Sequence, residues 1–463
     1  MRKLYFNIED IFNINTAVIY NPDRFVKTNQ VFIDSRKITG KAIYVALSGK
    51  KFDGHDFVRE AIKAGASTIV INENKLDKFD DVEITIVTVK NTEKAFGELA
   101  NCWRKKLNAK VVSITGSNGK TSTKDILSSI LSSKFNVTKT ISNNNNNIGV
   151  PLSILQANEK TEVLVLEHGT NHFGEIEYTA EIAEPDVALI TNIGDSHLEF
   201  LIDKQGVWEE KEKLFSNTDK SGGLIVINND DRFLRNSKRK YQNTFSYGYK
   251  SEPNLRGEIS SYLPNGKIAI SVNYNKELEE FILPLYGNSN AKNFLAAVAV
   301  SLKLGMTLNE IKKSITNIKL PDNRLGVTEF NNFILVNDTY NSNPESVIMA
   351  LELLRKIKKV KRKIVIFGDM FELGKTSFEK HVSLHKAFTK CKITEVYTIG
   401  SMSKYLSLKL SELGIKTAHF RMKKSMSKFL NEIELNDAVI LVKGSRGMEM
   451  EKFVEILKQR GEE

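Results

Sequence analysis

Cysteine is nearly absent: 463 residues hold two, Cys102 and Cys391, far apart and outside any CxxC spacing. That excludes a disulfide framework and a cysteine-based zinc site, and it suits a reducing compartment. Proline is scarce as well, at eight residues, and no low-complexity tract interrupts the chain. Nothing approaches the run of about 18 apolar residues that a membrane helix needs. Near the N-terminus Glu9 and Asp10 stand where a signal peptide requires an apolar stretch. The expectation is a protein that is neither exported nor membrane-spanning and works in the cytoplasm. No repeat recurs at a period of about 20 to 50 residues, which excludes solenoids and propellers.

With 41% hydrophobic and 27% charged residues, the composition is that of a globular protein. The length exceeds the point, at about 250–300 residues, where one core stops growing, and three domains are expected. Lys and Arg number 67 against 56 Asp and Glu, a net charge of +11. The lysines are spread along the chain, so the basic balance reads as proteome composition, and it leaves nucleotides open as polyanionic small substrates.

The order of β-like and helical runs is that of an α/β protein with three domains. Residues 1–107 read as a small α/β domain, with β runs at 43–47, 68–71 and 84–89, and helical patterns at 57–64 and 92–107. Residues 108–320 alternate buried-strand runs (111–115, 163–167, 187–191, 224–228) with helical patterns, as a parallel sheet with crossover helices requires. A helix over 291–304 closes this unit. Residues 321–463 repeat the cycle, with β runs at 333–337, 363–367, 395–399 and 438–442, a Rossmann-like open sheet.

Chemistry enters at Thr115-Gly116-Ser117-Asn118-Gly119-Lys120-Thr121, between a buried strand and a helix start. There, successive backbone N–H groups and the helix dipole point at an anion. Gly116 and Gly119 permit the turn, Lys120 neutralises the β- and γ-phosphates, and Thr121 offers a hydroxyl to Mg²⁺. ATP and Mg²⁺ are therefore the expected cofactors, although this loop is two residues shorter than the GxxxxGK[ST] pattern. Glu167 ends the strand run VLVLE at the carboxyl edge of the sheet, well placed to hold Mg²⁺. His197 follows another buried strand; by residue type it fits a polar network as well as a metal site. Lys211, within Glu209-Glu210-Lys211-Glu212-Lys213, reads as part of a solvated helix face. The asparagine run at 143–147 reads as a polar loop, and Arg324 and Asp338 as surface ion-pair residues.

The loop TGSNGKT resembles the TGxxGK[ST] loop of the Mur ligase and folylpolyglutamate synthetase superfamily, and further motifs resemble the Mur ligase family. Asn143, Asn145, Asn146, Gly149 and Pro151 match its NxNNxxGxP loop, and Gly169 with Gly174-Glu175-Ile176 its E-x-G…GEI stretch. Residues 191–199 match TNIGxxHLE, and Lys211 matches by its spacing to Leu214-Phe215. Asn290 and Asn293 fit NxxN, residues 338–344 resemble DxYNANP with Ser342 for Ala, and residues 368–374 with His381 match GDMxELG…H. Lys443-Gly444-Ser445-Arg446 matches KGSR. Near the start, Asp34-Ser35-Arg36 and the segment from Ala46 to His55 resemble a uridine-diphosphate-binding region, which folylpolyglutamate synthetases lack.

The resemblance implies an ATP-dependent, ADP-forming ligase of cytoplasmic peptidoglycan precursor synthesis, joining D-Ala-D-Ala to UDP-MurNAc-tripeptide through an acyl phosphate. Lys120, Glu167, His197 and Lys211 are then catalytic. Thr121, Glu167, His197 and a carbamylated Lys211 hold the metal. The phosphate loop with Asn290, Asn293, Arg324 and Asp338 holds ATP, and Ser35, Arg36, Asn145, Asn146, Tyr340 and Asn341 contact the other substrates. The resemblance further implies a monomer without nucleic acid, and closure of the C-terminal domain about a hinge near 317–324. Two departures are Ser289, where many relatives have His, and Lys213, where this branch often has Glu. A sister ligase for another amino acid and a non-catalytic nucleotide-binding paralogue are the alternatives.

Overall fold

A sheet covered on both faces is built from strands that read as unbroken apolar runs, and Lys110–Thr115, Val163–Glu167 and Val187–Ile190 are such strands, buried except at Lys110. The computed structural model describes residues 3–49, 52–250, 252–263 and 266–462; Met1 and Glu463, the outer ends of the expected flanking domains, lie outside them. Three sheets succeed one another along the chain.

The first has five strands, ordered Val18–Tyr20, Thr85–Val89, Ala66–Asn72, Ala42–Val45 and Val31–Phe32, parallel except for the antiparallel edge pair Val18–Tyr20 with Thr85–Val89. The helix Thr92–Lys106 leads out of this sheet and is tied to the second unit. Its Trp103 stacks on Phe6 at 4.9 Å between ring centroids and donates its indole N–H to the Ala157 carbonyl at 2.8 Å.

The second sheet has nine strands. Six, from Val137–Lys139 to Thr244–Gly248, run parallel in the order Val137–Lys139, Val163–Glu167, Lys110–Thr115, Val187–Ile190, Leu224–Asn228, Thr244–Gly248. The sequence reading of a parallel sheet is incomplete here. Leu255–Tyr262 adds parallel to Thr244–Gly248, and Lys267–Tyr274 and Glu277–Tyr286 extend the sheet as an antiparallel meander. Their signal is a period of two: Ile268, Ile270 and Val272 are buried, as are Phe281, Leu283 and Leu285, while Ile282 between them is 61% exposed. The helices Lys120–Leu131 and Gly287–Lys303 share one core with this sheet, and Ala291, Ala296, Ala297 and Ala299 are small enough for close approach.

The third sheet orders Gly326–Glu329, Phe333–Asp338, Ala438–Lys443, Arg362–Gly368, Glu395–Ile399 and Lys416–Phe420. All neighbours are parallel except the first pair. Both edge strands escaped the sequence reading because they are short and only half-buried. Among the described residues no helix is long and apolar enough to cross a membrane.

Trp103, 2% exposed, joins the first unit to the second. Trp103→Ala is expected to cost about 3–5 kcal/mol, read as a lower urea midpoint with the change in far-ultraviolet circular dichroism starting earlier than in the unaltered chain.

Candidate active site

The strand Lys110–Thr115 delivers the phosphate loop to the carboxyl edge of the second sheet, and the helix Lys120–Leu131 starts from Gly119. Both glycines are demanded by contact as well as by backbone angle. At Gly116, φ +144°, a Cβ would meet the Thr191 hydroxyl at 2.0 Å; at Gly119, φ +84°, it would meet Asn293 Oδ1 at 2.4 Å. The loop is braced from behind: Ser117 N–H donates to the Asn192 carbonyl at 3.0 Å, Asn118 N–H to Asn192 Oδ1 at 3.0 Å, and Gly194 N–H to Ser117 Oγ at 2.9 Å. Lys120 Nζ donates to the Gly116 carbonyl at 2.7 Å, and burial lowers the pKa of its amine.

Glu167, 1% exposed, faces the loop from the neighbouring strand. Its Oε1 accepts from Thr121 Oγ1 and from Asn145 Nδ2, each at 2.9 Å. Lys124 Nζ lies 3.4 Å from Oε2 and donates to the Ser142 carbonyl at 3.0 Å, tying the asparagine loop to the phosphate helix. Arg324 arrives from the C-terminal side, donating to Thr121 Oγ1 at 2.8 Å with its guanidinium 3.6 Å above the Tyr340 ring.

Lys211 departs most from its sequence reading. It is fully buried on the helix Lys204–Lys220, and its Nζ has no hydrogen-bond partner. Burial first, then the Lys120 charge, drive its pKa well below the ordinary lysine value, with Glu210 opposing. The reading as a solvated face is thus corrected: Val207, Leu214, Phe215 and Thr218 mark the helix's buried side, and Lys211 is on it. The side chain lies beneath the cleft rather than among the residues lining it. Glu210 accepts from Gly174 and Ile176 N–H at 2.7 and 2.8 Å, fixing the start of the helix Glu175–Ala183.

His197 sits in a left-handed turn, φ +54°, with Nδ1 2.7 Å from Glu372 Oε2. Burial lowers the imidazole pKa, helped by the Lys211 and Lys120 charges and opposed by Glu372; contact with His197 in turn lowers the Glu372 carboxyl.

The phosphate loop, Glu167, His197 and Glu372 line one cleft of about 1050 Å³ between the second and third sheets, with Asn145, Asn146, Ser289, Asn290, Asn293, Arg324, Asp338, Tyr340 and Asn341 around it. Asn146 Oδ1 accepts from Gly149 N–H at 2.8 Å, so part of its role is to start the helix Gly149–Leu155. Asn290 donates to the Tyr286 carbonyl at 3.0 Å, and Asn293 to Asn290 at 3.4 Å. Asp338 is no surface pair: it accepts from Lys443, whose side chain is 1% exposed and also donates to the Asn341 carbonyl at 3.0 Å. Ser35 and Arg36 are not brought to the cleft; Ser35 is buried in the first unit, and Arg36 is exposed and bonded to Asp34 at 2.8 Å.

Sequence reasoning missed Lys124, Asn192, Glu210 and Glu345. Lys124 had a signal, one helical turn beyond Lys120. Glu345 had none: its Oε1 accepts from Asp195 N–H at 3.1 Å and Lys204 at 2.9 Å, across the seam between the sheets.

No group of three or more His, Cys, Asp or Glu side chains able to hold a metal occurs among the described residues. Mg²⁺ asks for less, one or two carboxylates with phosphate and water oxygens completing its shell. Glu167, whose buried Oε2 has no hydrogen-bond partner, together with the Thr121 hydroxyl fits that requirement.

A glycine-bearing phosphate loop against a buried carboxylate, in a cleft roofed by a second open sheet, defines a P-loop nucleotide-binding protein. Family profiles match over almost the whole length: "Mur ligase family, catalytic domain" at residues 27–104, "Mur ligase middle domain" at 114–301, and "Mur ligase, glutamate ligase domain" at 323–446. The chain belongs to the Mur ligase family. It is 34% identical over 470 residues to the UDP-N-acetylmuramoyl-tripeptide--D-alanyl-D-alanine ligase of Buchnera aphidicola subsp. Acyrthosiphon pisum, covering 97% of each chain. Among solved structures it resembles MurF from Acinetobacter baumannii, with a TM-score of 0.88, 27% identity and coverage of 99% and 100%. It also resembles the MurF ligase of Thermotoga maritima in complex with ADP, with a TM-score of 0.83, 28% identity and coverage of 94% and 98%.

Gly119→Ala is expected to abolish ADP binding, measured by calorimetric titration, because the added Cβ would collide with Asn293. A second expectation concerns His381, which accepts from Met370 N–H at Nε2 (2.9 Å) and contacts the Ser377 carbonyl at Nδ1 (2.7 Å). Burial lowers its pKa, so the fold holds it neutral while the unfolded chain protonates near pH 6.5. Stability is therefore lost as pH falls below about 6.5, by up to about 1.4 kcal/mol per pH unit. His381→Gln is expected to be less stable at pH 7 yet to flatten that slope in urea titrations at pH 7 and 5.

Proposed function

We propose that this chain ligates D-alanyl-D-alanine to UDP-MurNAc-tripeptide at the expense of ATP, in the cytoplasm, as a step of peptidoglycan precursor synthesis, and acts as a monomer. The observation that carries this reading is the cleft itself. It places the phosphate loop and Glu167 on one wall and Tyr340, Asn341 and Arg324, from a different sheet, on the other. The likeness to a ligase named for this reaction extends over 97% of the chain.

In this reading residues 1–107 hold the uridine-diphosphate end, with Ser35 and Arg36 in contact with it. Residues 108–320 hold ATP, and residues 321–463 present the dipeptide and close on the nucleotide about the segment 317–324. A carboxylate is a poor electrophile, since resonance and negative charge resist an amine, so it has to be activated first. The tripeptide's terminal carboxylate attacks the γ-phosphorus of ATP, the bond to the β-phosphate oxygen breaks, and ADP leaves an acyl phosphate behind. The free amine of D-Ala-D-Ala adds to the acyl carbon, and the tetrahedral intermediate expels phosphate.

Lys120 releases the Gly116 carbonyl and turns to the transferring phosphoryl group. Arg324, already at Thr121 Oγ1, adds a second cation, and Asn145 and Lys124 hold Glu167 in place. Asn290 and Asn293 shape the nucleotide wall, Asp338 fixes Lys443, and Asn146, Tyr340 and Asn341 face the joined substrates. Mg²⁺, held by Thr121 and Glu167 with His197 nearby, would supply positive charge to the phosphates. Lys211, buried and driven toward its neutral amine, has the form that adds to carbon dioxide; as a carbamate it would bring a second anion to the metal side.

The test is phosphate release by purified protein with ATP, Mg²⁺, UDP-MurNAc-tripeptide and D-Ala-D-Ala, each omitted in turn, with mass measurement of the product. Release that requires both peptides, lost by 10³-fold or so in Lys120→Ala, supports the proposal. Turnover with a single amino acid assigns a sister ligase instead, and ATP binding without turnover on any acceptor assigns a non-catalytic paralogue. For Lys211, a carbamate carbon signal from labelled bicarbonate, absent in Lys211→Arg, is the expected result.

A further inference from the structure

The turn carrying Glu372 belongs to the third sheet by its anchors and to the second by its contacts. Met370 N–H is held by His381, and Phe371 N–H donates to Ser445 Oγ at 2.8 Å. Glu372 itself takes a left-handed backbone, φ +61°, unusual for a residue with a side chain. Its carbonyl accepts from Glu199 N–H at 3.3 Å, and Gly374 lies against the Glu199 backbone, so the turn is docked on the segment that holds His197. The Glu372 carboxylate then comes within 2.7 Å of His197 Nδ1, off the line of a hydrogen bond.

A carboxylate oxygen only accepts, so its charge at this distance favours the proton on Nδ1 even without an aligned hydrogen bond, and the Nε2 lone pair is left for whatever lies on the other side of the ring. Histidines that face a metal commonly have a carboxylate at the far nitrogen. We infer that Glu372 is a positioning residue: from the third sheet its charge sets the tautomer of the His197 ring in the second, so that the metal side of the site is complete only when the two domains meet. This rests on the reading of His197 as a residue beside the metal. It differs from the other seam contacts, because Glu345 holds Asp195 N–H and Lys204, and Asn343 holds Asn118, without touching the imidazole.

The experiment compares the full chain with Glu372→Ala, Glu372→Gln and Glu345→Gln, after circular dichroism has verified the folds. Free Mn²⁺ is followed by electron paramagnetic resonance in the presence of ADP, alongside kcat and KM. Glu372→Ala is expected to weaken Mn²⁺ binding about 10-fold and to lower kcat, whereas Glu345→Gln is expected to raise KM with Mn²⁺ affinity within about twofold. Should the alanine variant fail to fold, ring-nitrogen shifts of His197 in Glu372→Gln, assigned by its loss in His197→Gln, decide the matter. A shift from the Nδ1–H form toward a mixture supports the inference. Unchanged Mn²⁺ affinity in Glu372→Ala, an unchanged tautomer in Glu372→Gln, or equal Mn²⁺ loss in Glu345→Gln overturns it. An unaltered chain without turnover on the peptides would overturn the proposed function instead, and the Mn²⁺ comparison would still judge Glu372.

Discussion

A carboxylate at the bottom of a cleft has to be compensated, and Glu167 is compensated from three directions. The phosphate helix supplies Thr121 and Lys124, the asparagine loop supplies Asn145, and Arg324 reaches Thr121 from the C-terminal side. Burying an unpaired charge costs several kcal/mol, so these elements cannot drift apart without exposing that cost. The phosphate loop, residues 141–147 and the third sheet all converge on this one acid, whose Oε1 is hydrogen-bonded and whose Oε2 faces Lys124.

Around that acid stand several cations: Lys120 and Arg324 in the lining of the cleft, Lys124 buried against Glu167, and Lys211 beneath the cleft. Lys120 and Arg324 suit a polyanionic ligand, and burial and the Lys120 charge together hold Lys211 toward its neutral form. The chemistry is consequently laid across a seam. Thr121, Glu167 and His197 come from the second sheet, while Arg324, Tyr340 and Glu372 come from the third, and a reaction centre divided in this way is complete only when closed.

Some of the motif residues serve the frame rather than the reactants. His381 holds the Met370 backbone, Asn146 starts a helix, Asp338 neutralises a buried lysine, and Glu210 orders the turn before Glu175–Ala183. Motif position alone does not separate these roles, because a residue that aims a loop is as tightly specified as one that meets the substrate. The antiparallel strands of residues 255–286 show a different gap: their alternation was present in the sequence, but Pro284 and the exposed Ile282 blurred it.

By itself the sequence determined the phosphate loop, the succession of buried strands and helices, and the family. These are local properties, carried by glycine's freedom at a tight turn, by a period of two or 3.6 residues, and by contiguous motifs. Only the tertiary structure decided that Lys211 is buried without a partner, that Asp338 is spent on Lys443, and that Glu372 faces His197. It also decided the contact of Glu345 with Asp195, 150 residues apart. The physical reason is that a side chain's charge state and partner depend on which surfaces fold against it, and no window of neighbouring residues contains a surface contributed by a different sheet.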